Sequence, residues 1–484
     1  MNAGAIKLSH FSVKEYLIST RVEEYFRIDE KTSHSMISKL SITYLLQFDD
    51  DSVPLTEALL EAMPLAKYAA EHWIFHAKSG EMDLNGLKLI LNFFASGSAP
   101  LTNSIRIFNI DGAPWDRLGG DENLSMDRAE VCSAFYYSSL AGIKEVSDCL
   151  LQKGENANAK GECFENALQA ASYSGNEAIV KLLLENGAEV NAEGKYFGNA
   201  LEAILNNGNE AIVEPLLENE AEVNAEGKYS GNALEAAMSN GNEAIVKLLL
   251  ENGAEVNAEG KYFGNALEAA LQNGNEAVVK LLLENGAEVN AEGKYFENAL
   301  EAAMHYGNEA IVKLLLENGA EVNAKGKYFG NALEAALQNG NEAVVKLLLE
   351  NGAEVNAEGK YFGNALEAAM HYGNEAIVKL LLKNGAEVNA KGKYFGNALE
   401  AAMHYGNKAI VKLLLENGAE VNAEGKYSGN ALEAAMSNGN EAIVKLLLEN
   451  GADVNAEGKY FGNALEAAVH NGNEAIVKLL LEQR

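Results

Sequence analysis

Residues 227–259 read GKYSGNALEAAMSNGNEAIVKLLLENGAEVNAE, and near-copies of this stretch recur along most of the chain. The triplet Asn-Ala-Leu begins at Asn166, Asn199, Asn232, Asn265, Asn298, Asn331, Asn364, Asn397, Asn430 and Asn463, always 33 residues apart. A fixed period of that size marks a solenoid, in which each repeat buries its apolar face against its neighbours.

Within the stretch, Asn232-Ala-Leu-Glu235 has the pattern of a capping box with Asn in place of Ser or Thr. The Asn side chain is expected to accept the Glu235 N–H, and the Glu235 carboxylate to reach back to the Asn232 N–H. A first helix follows over about 232–240, broken at Gly241, and Asn242 caps a second. Glu243 lies in the first turn of that helix, with Lys247 at i+4 in the favourable order. Ile245, Val246, Leu248, Leu249 and Leu250 form its apolar face, and Gly253 suits a left-handed C-cap. The next seven residues are expected to be short and extended. The repeated Glu residues read as capping and surface groups, not as a paired acid and base.

Helix, turn, helix and extended loop in 33 residues resembles the ankyrin repeat, and GNEAIVKLLLENGAEVNA is close to that family's second-helix pattern. The resemblance implies an all-α ankyrin-repeat solenoid that binds proteins and is not an enzyme. The first helix departs from the family pattern: Asn-Ala-Leu-Glu stands in place of Thr-Pro-Leu-His, so the Thr–His hydrogen-bond network is not carried over. The Gly-Asn-Ala-Leu start looks like the variant common in fungal NLR-type arrays.

Upstream, residues 1–95 read as helical, with Met36, Ile37, Leu40, Ile42, Tyr44 and Leu45 mostly at helical spacing. Leu65, Tyr68, Ala69, His72, Trp73 and His76 form a second face, and 84–94 a third helix. AIKLSHFSVKEYL (5–17) and PLAKYAAEHWIFHAK (64–78) resemble the segment after the NACHT NTPase of fungal NLR-like (STAND) proteins, a winged-helix region and linker preceding the repeats. The chain begins inside that region and has no G-x-x-x-x-G-K-[ST] loop, so the family's nucleotide switch is not carried over. Residues 96–128 read as a linker, partly ordered around Trp115. The array spans 129–484: one degenerate repeat and ten more, the last ending inside its second helix, where fraying or a partner is expected.

The repeat at 194–226 reads as damaged. Pro215 falls inside its second helix, at a cost of roughly 3 kcal/mol. Glu220 replaces the capping Gly, Glu210 and Glu214 repel, and Ile204 replaces Ala. A kink or weak point is expected there.

The chain has 484 residues, 48% of them hydrophobic, and a formal net charge of -32. Nucleic acid and anionic membranes would be repelled, whereas a protein ligand with a basic patch would be attracted; simple solubilisation of a long array is the other reading. There is no signal-peptide core and no apolar run of spanning length, and Cys132, Cys149 and Cys163 follow no metal or disulfide spacing. These features fit the cytoplasm. His72 and His76 are i,i+4 without a third ligand and read as a helix face; no cofactor is expected.

Variation among the repeats concentrates in the three residues before the mid-repeat Gly: Met-His-Tyr at 304–306, 370–372 and 403–405, Leu-Gln-Asn at 271–273 and 337–339, Met-Ser-Asn at 238–240 and 436–438. The first packs, and the last two face the groove in the ankyrin family. The candidate protein-binding residues are therefore Gln272, Asn273, His305, Tyr306, Gln338, Asn339, His371, Tyr372, His404 and Tyr405. Tyr suits an interface because it buries a rigid ring and keeps a polar tip. Drift on an exposed helix end, after duplication, is the competing reading. The Lys-Tyr-Phe of each loop, such as Lys360, Tyr361 and Phe362, forms a second candidate row, in which Phe is expected to pack between loops. Besides ligand recognition, a constitutive scaffold or a truncated relic fits the same sequence.

Overall fold

The computed structural model describes residues 29–50, 54–95, 99–111, 124, 131–161, 164–205 and 207–482. The 5–17 segment, Trp115, Cys163 and Asn206 lie outside the described residues, as does most of the expected linker. Among the described residues there are 27 helices and no β-strand; a single bridge pairs Gly227 with Gly231. They fall into two compact units, one up to Ala254 and one from Glu255 onward.

Each first helix begins where its Asn withdraws from helical geometry and accepts an N–H three residues on. Asn232 Oδ1 takes Glu235 N–H at 2.8 Å, Asn331 takes Glu334 at 2.9 Å, and Asn397 takes Glu400 at 2.8 Å. Ala, Leu, Ala and Ala of that helix are buried, as is the Met or Leu beginning the variable triplet, for example Met370 and Met403. The helix stops at a Gly in the left-handed region, Gly373 having φ +70°. Asn374 then caps the second helix, Glu375–Lys383. Its end is a Schellman closure: Gly385 N–H bonds Leu382 O at 3.1 Å and Ala386 N–H bonds Leu381 O at 3.0 Å.

At Glu334 and Glu367 the carboxylate passes over the cap N–H expected of a capping box, and the Glu of eight Asn-Ala-Leu-Glu starts is not a surface group, whereas second-helix Glu residues such as Glu243 are exposed as expected. Glu202, Glu235, Glu268, Glu301, Glu334, Glu367, Glu400 and Glu433 are buried. In the second compact unit, Glu334 Oε2 accepts Gly330 N–H, one residue before the cap, at 2.8 Å. The same oxygen accepts Lys360 N–H at 2.7 Å, and Oε1 accepts Tyr361 and Phe362 N–H at 2.8 and 2.9 Å. Glu367 repeats the pattern on Gly363, Lys393, Tyr394 and Phe395 at 2.7–2.8 Å. In the first unit Glu202 holds Gly198, Lys228, Tyr229 and Ser230 at 2.5–2.9 Å. The carboxylate thus pins the loop of the following repeat. A Cβ on Gly359 would stand 2.3 Å from Glu334 Oε1, which is why that loop position is Gly. Gln169, the amide in the same register, donates to Ala192 O instead.

The loop expected to be extended carries a second inter-repeat tie. Asn323 Nδ2 donates to Gly352 O at 3.1 Å while its Oδ1 accepts Glu354 N–H at 2.9 Å, and Asn290, Asn356 and Asn389 do the same. The Glu-to-Lys pairing expected on the second helix appears at Glu177–Lys181 and Glu375–Lys379. Lys247, Lys280, Lys313, Lys346 and Lys412 turn instead to the Glu four residues on, at 3.6–3.9 Å. All are exposed pairs of small energetic weight.

The repeat at 194–226 keeps its second helix at Glu210–Glu218, with the bounds of its neighbours, so Pro215 neither ends nor shortens it. The strain sits at the cap: Glu220 is held at φ +65°, a region that disfavours any side chain. Ile204 is fully buried.

In the first unit the repeats are preceded by α1 (Glu30–Leu45), α2 (Glu57–Ala62), α3 (Ala66–Ser79), α4 (Leu84–Phe93) and α5 (Ala99–Ile107). The last lies in the stretch read as linker and buries Leu101 and Ile105. α1 packs on α3, and Trp73 sits against Phe93 and Phe94 at ring distances of 5.5 and 5.8 Å. The expected faces hold in part: Ile42, Leu45, Ala69, Trp73 and His76 are buried, but Met36, Leu40, Leu65 and Tyr68 are exposed. The degenerate repeat supplies α6 (Ala134–Ala141) and α7 (Lys144–Gln152), ending on Gly154 at φ +92°.

Replacing Glu367 by Gln turns an acceptor pair into one acceptor and one donor facing backbone N–H groups. The loop should lose about 2–3 kcal/mol, and amide exchange at Lys393, Tyr394 and Phe395 should accelerate; unchanged exchange there refutes the clamp. Amide exchange should also be faster across 209–220 than across 242–253. Glu220→Gly should recover about 1 kcal/mol, read as a shift in urea midpoint, and Pro215→Leu about 1 kcal/mol by restoring the helix hydrogen bond that proline lacks; no shift for Glu220→Gly refutes the strain.

Candidate functional site

The clamped loops set the positions of the aromatic side chains. Once Glu334 holds the N–H groups of 360–362, Tyr361 is exposed and Phe362 is aimed along the array. Phe362 lies 5.4 Å from His371, 6.1 Å from Tyr372 and 5.8 Å from Tyr394 of the next loop. Phe395 repeats this with His404, Tyr405 and Tyr427 at 5.2, 5.8 and 5.7 Å. The two rows inferred separately from the sequence therefore meet. The second unit has a groove of about 500 Å³ lined by Gln338, Tyr361, Phe362, His371, Tyr372, Tyr394, Phe395, His404, Tyr405 and Tyr427.

Five of the ten sequence candidates line it: Gln338, His371, Tyr372, His404 and Tyr405. His371 Nδ1 and the Tyr405 hydroxyl are 2.6 Å apart, one repeat to the next. The other five lie elsewhere, all of them exposed. His305 and Tyr306 form a smaller cluster with Phe296 and Tyr328 at 5.2–6.3 Å. Asn339 is engaged structurally, donating to Met304 O of the preceding repeat at 2.7 Å, as Asn438 does to Met403 O and Asn471 to Met436 O. Gln272 and Asn273 are not part of the groove lining.

Burial, then the nearby Glu334 and Tyr405, holds the Tyr372 hydroxyl above the ordinary tyrosine value, and burial with Glu367 does so for Tyr405. Both stay protonated and able to donate. No Lys, Arg, Asp or Glu side chain lines the groove. Among the described residues no group of three or more His, Cys, Asp or Glu is placed to hold a metal ion. No helix among them is long and apolar enough to cross a membrane.

The first unit has a smaller cavity of about 390 Å³ between α3 and the first repeats, bounded by His72, Phe75, Lys78, Phe108, Phe164 and Tyr173 among others. Behind it His76 is buried, with its Nδ1 at 2.7 Å from His34 Nδ1 and its Nε2 at 2.9 Å from the Tyr68 hydroxyl. His34 was not a sequence candidate, since it lies 42 residues from His76 and no spacing rule joins them.

The family profile for ankyrin repeats (three copies) matches residues 200–293, 267–359, 299–392, 365–458 and 399–484, and the single-repeat profile matches 165–195. The chain belongs to the ankyrin-repeat family. Ankyrin arrays are typically non-catalytic and mediate protein–protein binding. Among curated proteins the chain is similar to azaphilone pigments biosynthesis cluster protein L of Monascus ruber, 32% identical over 178 residues, 34% of this chain and 37% of that one. The match thus spans just over a third of the relative. Among solved structures it is similar to the human ASB11 ankyrin repeat domain, with 27% identity, a TM-score of 0.40, and coverage of 46% of this chain and 99% of that one.

Burial, then the charges of His34 and His72, lowers the His76 pKa below the ordinary 6.5. The unfolded chain therefore takes up this proton more readily than the folded one. The contribution to stability is complete above pH 6.5 and is lost as pH falls below it. The ring resonances of His76 should titrate below 6.5, and the packing of α1 on α3 should lose stability on acidification. A His76 midpoint at or above 6.5 refutes the reading.

Proposed function

We propose that this chain is a non-catalytic protein-recognition module, the ligand-binding array of a fungal NLR-like protein acting in the cytoplasm, and that its ligand docks in the aromatic groove at 338–427. One observation carries the reading: the Met-His-Tyr positions of two consecutive repeats and the Tyr-Phe positions of the adjoining loops converge on one groove. Tyrosine rings with protonated hydroxyls provide buried area at low entropic cost and a donor at the rim. The net charge of -32 favours a ligand with a basic patch and disfavours nucleic acid and anionic membranes. The NLR-like context is supported by the resemblance of 5–17 and 64–78 and by the Gly-Asn-Ala-Leu starts.

A constitutive scaffold is the second reading. It is favoured by Asn339, Asn438 and Asn471, whose variable-position side chains tie repeats together and do not line the groove.

The test is capture of partners from the source cell by the full chain and by a Tyr372→Ala/Tyr405→Ala variant. Both residues are exposed, so the variant should fold. A specific partner should be held by the native chain and weakened at least tenfold by the double change. Equal capture by both defeats the groove. An in-frame NTPase segment upstream in the gene is expected on the NLR-like reading, and its absence leaves the scaffold.

A further inference from the structure

The groove is built twice over, one repeat apart. In its first half Phe362 meets Tyr372 and Tyr394 at interplanar angles of 72° and 67°. In its second half Phe395 meets Tyr405 and Tyr427 at 71° and 62°. Each set of three rings thus makes a corner of steeply inclined aromatic planes, and no Lys, Arg, Asp or Glu side chain lines the groove. Aromatic faces carry partial negative charge and attract a desolvated cation. The formal charges acting on the groove hydroxyls are carboxylates, Glu334 on Tyr372 and Glu367 on Tyr405. The loop lysines do not fill the corners: Lys393 Nζ is turned to Lys360 O at 2.7 Å and Lys426 Nζ to Lys393 O at 2.6 Å.

Spacing restricts the occupant. Neighbouring packed helices stand about 8–10 Å apart. A polyproline II segment rises about 3.1 Å per residue with three residues per turn, so positions i and i+3 share a face about 9 Å apart. A β-strand places like-facing positions i and i+2 about 7 Å apart and i and i+4 about 13 Å apart, on either side of that spacing.

Resting on the groove as the docking face, we propose that the two corners take the basic side chains of a partner segment in polyproline II conformation, with Arg or Lys at every third position.

The probe is a labelled synthetic peptide of repeating Arg-Pro-Pro, titrated against the full chain by fluorescence anisotropy. The companions are repeating Gln-Pro-Pro and repeating Arg-Pro, which keep the backbone but remove the charge or the register. The Arg-Pro-Pro peptide should bind at least tenfold more tightly than either. Tyr405→Ala should weaken it about tenfold, Tyr405→Phe should retain it, and Tyr460→Ala, outside the groove, should leave it unchanged. Equal binding of Gln-Pro-Pro overturns the cationic occupant, equal binding of Arg-Pro overturns the register, and indifference to Tyr405→Ala overturns the site. Failure of Arg-Pro-Pro to bind, with a captured partner still lost on Tyr372→Ala/Tyr405→Ala, overturns this inference alone and leaves the groove as docking face.

Discussion

A carboxylate removed from water must recover the hydrogen bonds it gave up, and in this chain it recovers them from the next repeat. Each buried Glu of the Asn-Ala-Leu-Glu starts that shows the full pattern takes four backbone N–H groups, one on its own side and three from the following loop. Charge-assisted bonds of this kind are short and strong, and a buried carboxylate deprived of them would be costly. The same constraint explains the loop composition. Gly359 and Gly392 sit where a side chain would collide with the carboxylate, and Gly363 where it would meet the backbone N of Lys393. In those repeats one buried carboxylate thus joins two neighbours and fixes the loop between them.

The groove is a consequence of that clamp. Tyr361, Phe362, Tyr394 and Phe395 stand where they do because their N–H groups, or those beside them, are held from beneath by Glu334 and Glu367. Those carboxylates also act on the Tyr372 and Tyr405 hydroxyls. The element that stabilises the stack therefore sets both the geometry and the electrostatics of its most aromatic face.

Asparagine does the complementary work at three places in the repeat: it starts the first helix, starts the second, and ties loop to loop. At the end of the first helix it makes a further tie to the preceding repeat, at Asn339 and Asn438. Between those two positions lie Tyr372 and Tyr405. The groove opens where the tie is replaced by tyrosine in two consecutive repeats. The isolated Met-His-Tyr at 304–306 has Leu-Gln-Asn repeats on both sides and forms only a small cluster.

The 33-residue period, the Asn caps, the positive-φ glycines and the buried apolar positions were legible in the sequence, because each depends on neighbours within a few residues. The aromatic candidates were legible as a set, because repeats in one chain can be compared with one another. The destination of the Glu carboxylate was not, since local rules offer it the cap N–H three residues back while the winning donors lie 26–28 residues further on. Nor was the division of Gln338, His371, Tyr372, His404 and Tyr405 from Gln272, Asn273, His305, Tyr306 and Asn339, which depends on which repeats are neighbours and whether an Asn side chain is already spent on a carbonyl. Hydrogen bonding across repeats is a property of the packed stack, and only the tertiary structure decides which of several equivalent partners a buried polar group finds.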